Sequence, residues 1–365
     1  MWAADASALE SSAFQNVSVN KPSTEGQARL SSPRQYSIAL APQFVHSRSA
    51  LVSQLVSSRA YRQVEFLAVG SFFILKRSGD ADAPTLTRIP STREDVFSTT
   101  AIPPRAKRSL MKFLKFVLEQ TNESDQNTSE LPDISVPWAE KPLAEFLQSE
   151  FKLDQELQAY ILALTLSLDA KVSTKNGLNA IRTHLNSMGV FGPGFAAVYP
   201  KWGGLSEIAQ VGCRACAVGG AVYMLGTDIK QLTELDSGDE KLEIELTTGE
   251  KVKAKLLVRD ESSAKGTQTI SRLVAIASSP LKSLFTPTVE GAPPPAVAVT
   301  AFPPGVVKSA GEKISDHPVF ASIHSSDTGE CPTGQSKWPP STTHLPVYHD
   351  DPHFEYLSTL SELRH

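Results

Sequence analysis

The hydrophobic periodicity of this chain changes twice, and this limits the folds that are open to it. Residues 63–75 predict a strand, a turn at Gly70 and a second strand, and residues 36–41 alternate like a further strand. Residues 105–188 instead carry apolar side chains at helical spacing, and from Lys241 onward the period returns to two. The sequence therefore predicts a block of helices inserted between two β-rich parts that pair into one domain.

Shifts in composition predict where the domains begin and end. Residues 1–34 are rich in Ala, Ser, Asn and Gln without a sustained period, so they are predicted to be weakly ordered. Pro, Ser and Thr residues between 90 and 104 interrupt the strand pattern. The predicted fold is mixed α/β (α+β), with a β-rich domain at 35–102 and 196–330, an inserted helical domain at 103–195 and a loop-rich tail at 331–365.

Residues 199–225 contain the clearest sequence motif of the chain. Glycine pairs at 203–204 and 219–220 bracket apolar residues at helical spacing, which predicts a turn, a helix, a second turn and a strand. On this helix Glu207, Gln210 and Arg214 lie near one stripe, because they are three and seven residues apart. Such a stripe could face a partner protein, although Arg214 could also simply pair with Glu207 on the helix surface.

Composition excludes several classes of partner. The formal net charge is -4 and the pI is about 6.1, so the chain lacks the basic balance expected of a nucleic-acid-binding protein. Cys213 and Cys216 have the spacing of metal ligands, but no second pair accompanies them, so no metal site is expected. With three cysteines and no apolar run near the roughly 20 residues of a membrane span, we expect a cytosolic protein.

The sequence lacks the common catalytic motifs. It contains no Gly-x-Ser-x-Gly elbow, no phosphate loop and no His-Glu-x-x-His pair. It also lacks the Gly-x-Gly-x-x-Gly turn that brings backbone amides to a dinucleotide pyrophosphate. We therefore expect no catalytic residue and no cofactor, and a flavin-dependent oxidoreductase of related fold is the more distant alternative.

The motif at 199–225 also resembles a known signature. Tyr199-Pro200, the glycine turn, Glu207, Gln210, Arg214 and the run from Gly219 to Leu225 follow the order found in the Rab GDP-dissociation inhibitor and Rab escort protein family. Segments 61–66, 93–97, 107–116 and 325–332 add further similarity. The resemblance implies a two-domain fold whose β-rich domain is like an FAD/NAD(P)-binding domain without the cofactor. Members of this family begin with a Gly-rich βαβ unit, which this chain is expected to lack.

The resemblance implies a binding surface for the GDP form of a Rab GTPase on the β-rich domain. Its expected contacts are Glu207, Gln210, Arg214, Tyr223 and Met224. The structural alternatives are that Arg214 pairs with Glu207 within the helix surface and that Met224 belongs to the core.

The resemblance also implies roles for the helical domain. A geranylgeranyl lipid would lie in a groove lined by Leu110, Leu114, Val117, Leu157, Ile161 and Leu164. Contact with the Rab geranylgeranyltransferase would involve Phe113 and Phe116. An ordinary helical core would explain the same apolar residues equally well.

Two segments favour the escort branch of this family. They are Cys213-Arg214-x-Cys216-Ala217-Val218 and the approach to the first long helix at 107–116. The escort branch implies a non-catalytic accessory component of the prenyltransferase. Such a component presents Rab to that enzyme and carries the prenylated product to membranes in vesicular transport, from the cytoplasm and with transient membrane association. The alternative is a dissociation inhibitor that only recycles prenylated Rabs.

Overall fold

The computed structural model divides the chain into two compact units. The larger unit contains Ala28–Val211 and Gln268–His365, and the smaller contains Met1–Gln27 and Gly212–Thr267. The structure describes residues 17–18, 30–39, 42–77, 84–90, 93–100, 102–119, 133–235, 241–258, 270–307, 315–338 and 340–342. Most of the segment 1–34, predicted to be weakly ordered, lies outside these residues.

The described residues contain the following elements. The strands are β1 Val45–His46, β2 Phe66–Lys76, β3 Thr85–Arg88, β4 Ala197–Pro200, β5 Ile229–Glu234, β6 Leu242–Leu246, β7 Lys251–Ala254, β8 Ser271–Arg272, β9 Ala275–Ala277, β10 Val297–Phe302, β11 Val319–Ser325, β12 Ser336–Trp338 and β13 Pro340–Thr342. The α-helices are α1 Ala50–Ser57, α2 Arg93–Ser98, α3 Pro104–Glu119, α4 Leu143–Phe151, α5 Gln155–Thr165, α6 Thr174–Ser187 and α7 Leu205–Val218.

A ten-stranded mixed sheet forms the frame of the larger unit. Its main path is β1-β4-β2-β10-β11-β12-β9, with β3 beside β2 and β13 beside both β11 and β8. Strand β2 pairs antiparallel with β4 and parallel with β10. Its residues are mostly buried, which is why it carries a nearly continuous apolar run.

Gly70 does not form the predicted turn. It lies inside β2, which continues without a break from Phe66 to Lys76. A Cβ at Gly70 would lie 2.1 Å from the Cβ of Pro295, so a close approach of two chain segments requires this glycine. The prediction of two strands separated by a turn was wrong.

The strand predicted at 36–41 is also absent from residues 36–39, the part that the structure describes. The backbone amide of Ser37 donates to the carbonyl of Glu330 at 3.0 Å. The Tyr36 hydroxyl donates to Gln335 Oε1 at 2.8 Å and accepts from the Ser31 amide at 2.9 Å. These residues therefore satisfy polar groups through long-range loop contacts and not through a sheet.

Helices α3 to α6 confirm the helical pattern at 105–188. Asp154 and Ser173 cap α5 and α6 by accepting bonds from Leu157 and Asn176 amides, respectively. One hydrophobic cluster extends from Val69 and Val297 of the sheet to Phe113 of α3. The sheet and the helical block therefore share one core, while the domain boundaries at 103 and 195 remain predictions.

The smaller unit contains a three-stranded antiparallel sheet in the order β5-β6-β7. Strands β6 and β7 form an antiparallel hairpin, which confirms the period of two predicted from Lys241 onward. The strand expected directly after Gly219-Gly220 begins only at Ile229. Gly220 has a φ of +95°, the left-handed conformation that ends a helix most easily without a Cβ.

Candidate functional site

A tight corner in the larger unit joins buried strand β4 to the first residues of helix α7. Gly204 has a φ of +65°, and a Cβ on it would lie 2.6 Å from the Tyr199 hydroxyl. Trp202 also has a positive φ, +78°, and its amide donates to the Thr328 carbonyl at 2.8 Å. The corner therefore tolerates little change in backbone and begins α7 at a fixed place.

The first turns of α7 carry two of the predicted contact residues. The amide of Glu207 donates to the Gly204 carbonyl at 3.1 Å, and Glu207 Oε1 accepts from Gln210 Nε2 at 3.1 Å. Gln210 is exposed and Glu207 is half-buried. This carboxylate and amide are joined at the surface, where polar groups of a partner could reach them.

The other three predicted contacts belong to the smaller unit. Arg214, Tyr223 and Met224 are all exposed, so the described structure does not place Met224 in a core. The Tyr223 hydroxyl donates to the Cys213 carbonyl at 2.9 Å. The neighbouring Cys213 side chain raises the pKa of Tyr223 to about 12.

A network of buried charges lies beneath the corner. Glu330 Oε1 accepts from Lys337 Nζ at 2.6 Å and from the Tyr199 hydroxyl at 3.0 Å, while Oε2 contacts His324 Nδ1. On its other side the His324 ring contacts Ser322 Oγ at 2.8 Å. Glu330, His324 and Lys337 are fully buried. The backbone segment that accepts the Trp202 amide is thus anchored by charge-assisted hydrogen bonds.

The network keeps its carboxylate ionised. Burial opposes the charge on Glu330, but His324 and Lys337 outweigh that effect and lower its pKa to about 2. Burial lowers the pKa of Lys337, and Glu330 opposes this shift. Burial likewise lowers the pKa of His324 despite the neighbouring carboxylate. The central interaction near pH 7 is therefore the Glu330–Lys337 ion pair.

A cavity of about 60 Å³ lies between strand β2 and the helical block. Its lining is mostly apolar and includes Phe72, Ile181 and Met188. His184 also lines it, and the Nδ1 atom of this buried ring has no hydrogen-bond partner among the described residues. Burial, reinforced by nearby His46, lowers the pKa of His184 to about 4, so the ring is neutral near pH 7.

Two further observations concern metals and membranes. Among the described residues, no three or more His, Cys, Asp or Glu side chains converge into a potential metal site. None of the helices in the described part of the chain combines the length and the apolar character that crossing a membrane requires.

Comparison with known proteins gives the family. Residues 3–287 match the GDP dissociation inhibitor family. The chain belongs to this family. The match confirms the resemblance found in residues 199–225 and begins ahead of the residues that carried it.

Two curated relatives are similar to this chain at moderate identity. Rab proteins geranylgeranyltransferase component A of Saccharomyces cerevisiae is 28% identical over 347 residues, covering 94% of this chain and 53% of the yeast protein. Rab escort protein 1 of Arabidopsis thaliana is 28% identical over 272 residues, covering 70% of this chain and 46% of the plant protein. The chain spans about half the length of these curated relatives.

Solved structures confirm the fold. The crystal structure of a Rab GDI from Plasmodium falciparum matches with a TM-score of 0.60 at 19% identity, covering 90% of this chain and 71% of that chain. An oxidoreductase from Methanosarcina mazei matches with a TM-score of 0.50 at 13% identity, covering 88% of this chain and 68% of that chain. At these identities the likeness shows the fold alone, which is mixed α/β and GDI-like as predicted.

The residues predicted to line a lipid groove all lie in the core that the sheet and helical block share. Leu110, Leu114, Ile161 and Leu164 line the cavity, whereas Val117 and Leu157 pack in the core without lining it. The structure thus brings four of the six predicted residues to one cavity.

The two predicted prenyltransferase contacts differ in accessibility. Phe113 is 0% exposed and packs edge-on against Phe151, so it is assigned to the core and not to a surface contact. Phe116 is only partly buried and packs against Phe146 and Phe151. Of the two phenylalanines, only Phe116 has surface that a partner could reach in this conformation.

Sequence reasoning did not identify the buried charge network or His184. Glu330 lies within segment 325–332, at a position that did not contribute to the family resemblance, and its partners His324 and Lys337 are six and seven residues away. No single period, of a strand or of a helix, places residues at both of these spacings on one face. A lysine between Ser336 and Trp338 in a short strand was the only available signal, and it does not reveal a partner.

Proposed function

We propose that this chain acts as a Rab escort protein, which binds a GDP-bound Rab GTPase and presents it to the Rab geranylgeranyltransferase. The observation that carries the proposal is the accessibility of the motif residues within each unit. Glu207 is half-buried and Gln210 exposed in the larger unit, and Arg214 is exposed in the smaller unit. A carboxylate and a guanidinium suit this role because both form charge-assisted hydrogen bonds to polar groups of a partner. The names of the yeast and plant relatives support the choice of partner.

The proposed role is non-catalytic. The chain would act as an accessory component, fixing the GTPase while the prenyltransferase supplies the reacting groups. It would then carry the lipidated product through the cytoplasm and deliver it by transient association with a membrane.

The proposed lipid site is the cavity between β2 and the helices. A geranylgeranyl chain of about 20 carbons gains roughly 0.8 kcal/mol for each methylene-sized group removed from water, so an apolar shelter is strongly favoured. The present cavity, about 60 Å³, is smaller than the roughly 150 Å³ of an engineered cavity that holds benzene. Lipid binding would therefore require the helices around Leu114 and Leu164 to separate.

Calorimetric titration with a GDP-loaded Rab GTPase tests the binding role. Glu207→Ala and Arg214→Ala should each weaken binding about 10- to 100-fold, equivalent to a loss of about 1 to 3 kcal/mol through removal of a charged hydrogen-bonding group. Glu250→Ala, which removes an exposed carboxylate from the end of the β6–β7 turn, is the matched control. Equal affinity for all four proteins would contradict the assigned surface.

A reconstituted prenylation assay separates the two branches of the family. An escort protein should allow the prenyltransferase to modify Rab, whereas a dissociation inhibitor should bind prenylated Rab without enabling the reaction. Binding without stimulated prenylation would therefore favour the alternative function, in which the chain only recycles prenylated Rabs.

A further inference from the structure

Trp202 combines surface exposure with an unusual backbone conformation. The residue is 55% exposed and has a φ of +78°. A left-handed conformation costs a residue with a Cβ roughly 1 to 2 kcal/mol, so the surrounding structure must stabilise it. Such backbone strain concentrates at functional sites, and here it fixes the position of a large aromatic side chain at the surface.

The neighbours of Trp202 hold the indole in one place. Its amide donates to the Thr328 carbonyl at 2.8 Å, and a Cβ on Gly329 would lie only 2.2 Å from the indole ring. Lys201 Nζ lies 4.8 Å from the ring centroid and pairs with Glu65 at 2.9 Å. The ring thus packs against the Gly329 backbone while about half of the residue faces solvent.

Trp202 is close in the chain to Glu207, one of the predicted GTPase contacts. A Cβ built on Gly203, the next residue in the chain, would lie 3.4 Å from Glu207 Oε1. Gly203 therefore adjoins Trp202 in the chain and lies close to the Glu207 carboxylate, all within the larger unit. Buried Glu330 follows Gly329 directly, so the ion-paired network supports the backbone on which the ring rests.

We propose that Trp202 is a pre-organised aromatic anchor that inserts into an apolar depression of the bound GTPase. This inference rests on the proposed function and adds a contact residue to the same surface. Exposed tryptophans are frequent binding hot spots because they bury a large area upon association. A ring that is already fixed loses little conformational entropy on binding, which strengthens the contact.

Binding measurements with matched variants test the anchor. The full chain, Trp202→Ala, Trp202→Phe and Glu207→Ala are titrated with a panel of unprenylated Rab GTPases loaded with GDP. Trp202→Ala should weaken binding about 10- to 100-fold, and Trp202→Phe should lose less because part of the apolar surface remains. Phe97→Ala removes an aromatic residue that is 56% exposed elsewhere on the larger unit and should bind like the unmodified chain.

A second variant tests the support beneath the ring without removing the ring itself. Gly329→Ala should displace the indole, because the added Cβ overlaps it, and should weaken binding while Trp202 is retained. Gly329 has a φ of +75°, so this variant should also be less stable, and its thermal midpoint is measured alongside its affinity.

Indole fluorescence gives a readout that a purely structural tryptophan would not change. Addition of GDP-loaded Rab should protect the indole from acrylamide quenching in the unmodified chain, and Trp202→Phe should lack that protection with the same Rab. This comparison decides the question even if Trp202→Ala fails to fold.

If Glu207→Ala weakens binding while both Trp202 variants bind normally and quenching does not change, Trp202 is not a contact. If the unmodified chain binds no member of the panel, the proposed function fails, and the anchor fails with it.

Discussion

Glu330 shows how a single residue can fix the geometry of a surface that it does not reach. Its buried carboxylate accepts from Lys337 and Tyr199, and Tyr199 lies directly beneath Gly204. Such a charge is tolerated in the interior only because its oxygens are paired. The polar network therefore favours one arrangement of the corner over alternatives that an apolar core would permit equally well.

Removing this carboxylate should destabilise the larger unit. Glu330→Gln leaves Lys337 and His324 buried without their anionic partner, and breaking a buried pair of this kind typically costs about 3 to 5 kcal/mol. Urea unfolding followed by circular dichroism measures the loss. The double variant Glu330→Gln with Lys337→Met removes the uncompensated cation and should recover part of the stability. A double variant less stable than Glu330→Gln alone would show that the ion pair is not the source of the effect.

His184 should make stability depend on pH above the range in which Glu330 titrates. Its pKa falls from 6.5 to about 4 on folding because burial disfavours the charged ring. Between these values the unfolded chain binds a proton that the folded chain does not, so the free energy of unfolding should decrease as pH falls. The contribution is about 2 kcal/mol between pH 7 and pH 5.

The comparison with His184→Gln isolates this contribution. Urea unfolding at pH 7 and pH 5 should show a smaller pH-dependent loss for the variant than for the unmodified chain. His46, whose pKa burial also lowers, and the Glu330 network titrate in both proteins and largely cancel in the difference. Equal slopes in the two proteins would mean that His184 does not titrate in this range.

At the scale of elements, regular hydrophobic periodicity predicted helices well. Segments whose conformation depends on distant contacts were not predicted correctly. The apolar spacing at 105–188 identified the helical block because helices depend largely on local pattern. The strand predicted at 36–41 failed in its described part because Ser37 and Tyr36 bond to residues about 300 positions away. The GTPase contact residues could be proposed from the sequence motif at 199–225. The burial of Phe113 depends on its packing with Phe151, which residue spacing does not reveal.

Two glycines within regular elements, buried Gly70 in β2 and exposed Gly212 in α7, should respond to alanine in opposite directions. Gly70→Ala should destabilise the larger unit by about 1 to 3 kcal/mol, because its Cβ would overlap Pro295 where β2 meets the segment preceding β10. Gly212, in α7, has no atom within 4 Å of an added Cβ, so Gly212→Ala should stabilise its helix by about 0.5 to 1 kcal/mol. Thermal unfolding of both variants checks the pair. A stabilising Gly70→Ala would show that this approach relaxes easily.

For the whole molecule, the proposed function assigns different tasks to two places. The corner at Trp202 and Glu207 would recognise the protein part of the GTPase, and the cavity would receive its lipid. Because the cavity is small and its walls belong to the main core, lipid binding would have to disturb packing that also stabilises the fold. Neither Trp202 nor Glu207 lines the cavity, so the two tasks should be separable by substitutions at the cavity and at the corner.

Leu164→Trp should separate them by filling the cavity with a larger side chain. We expect it to weaken binding of geranylgeranylated Rab at least 10-fold while leaving binding of the unprenylated GDP form within about 2-fold, because only the lipid needs this space. Glu207→Ala should instead weaken binding of both forms, since the protein contact is common to them.

Leu118→Trp, at an exposed position near the end of α3 and away from the cavity lining, serves as the size-matched control and should affect neither form. Fluorescence titration of the unmodified chain and the three variants with the two forms of one Rab measures all eight affinities. If Leu164→Trp weakens both forms equally, the substitution acts through the general stability of the core. If it weakens neither, the lipid lies outside this cavity and the helices around it need not separate.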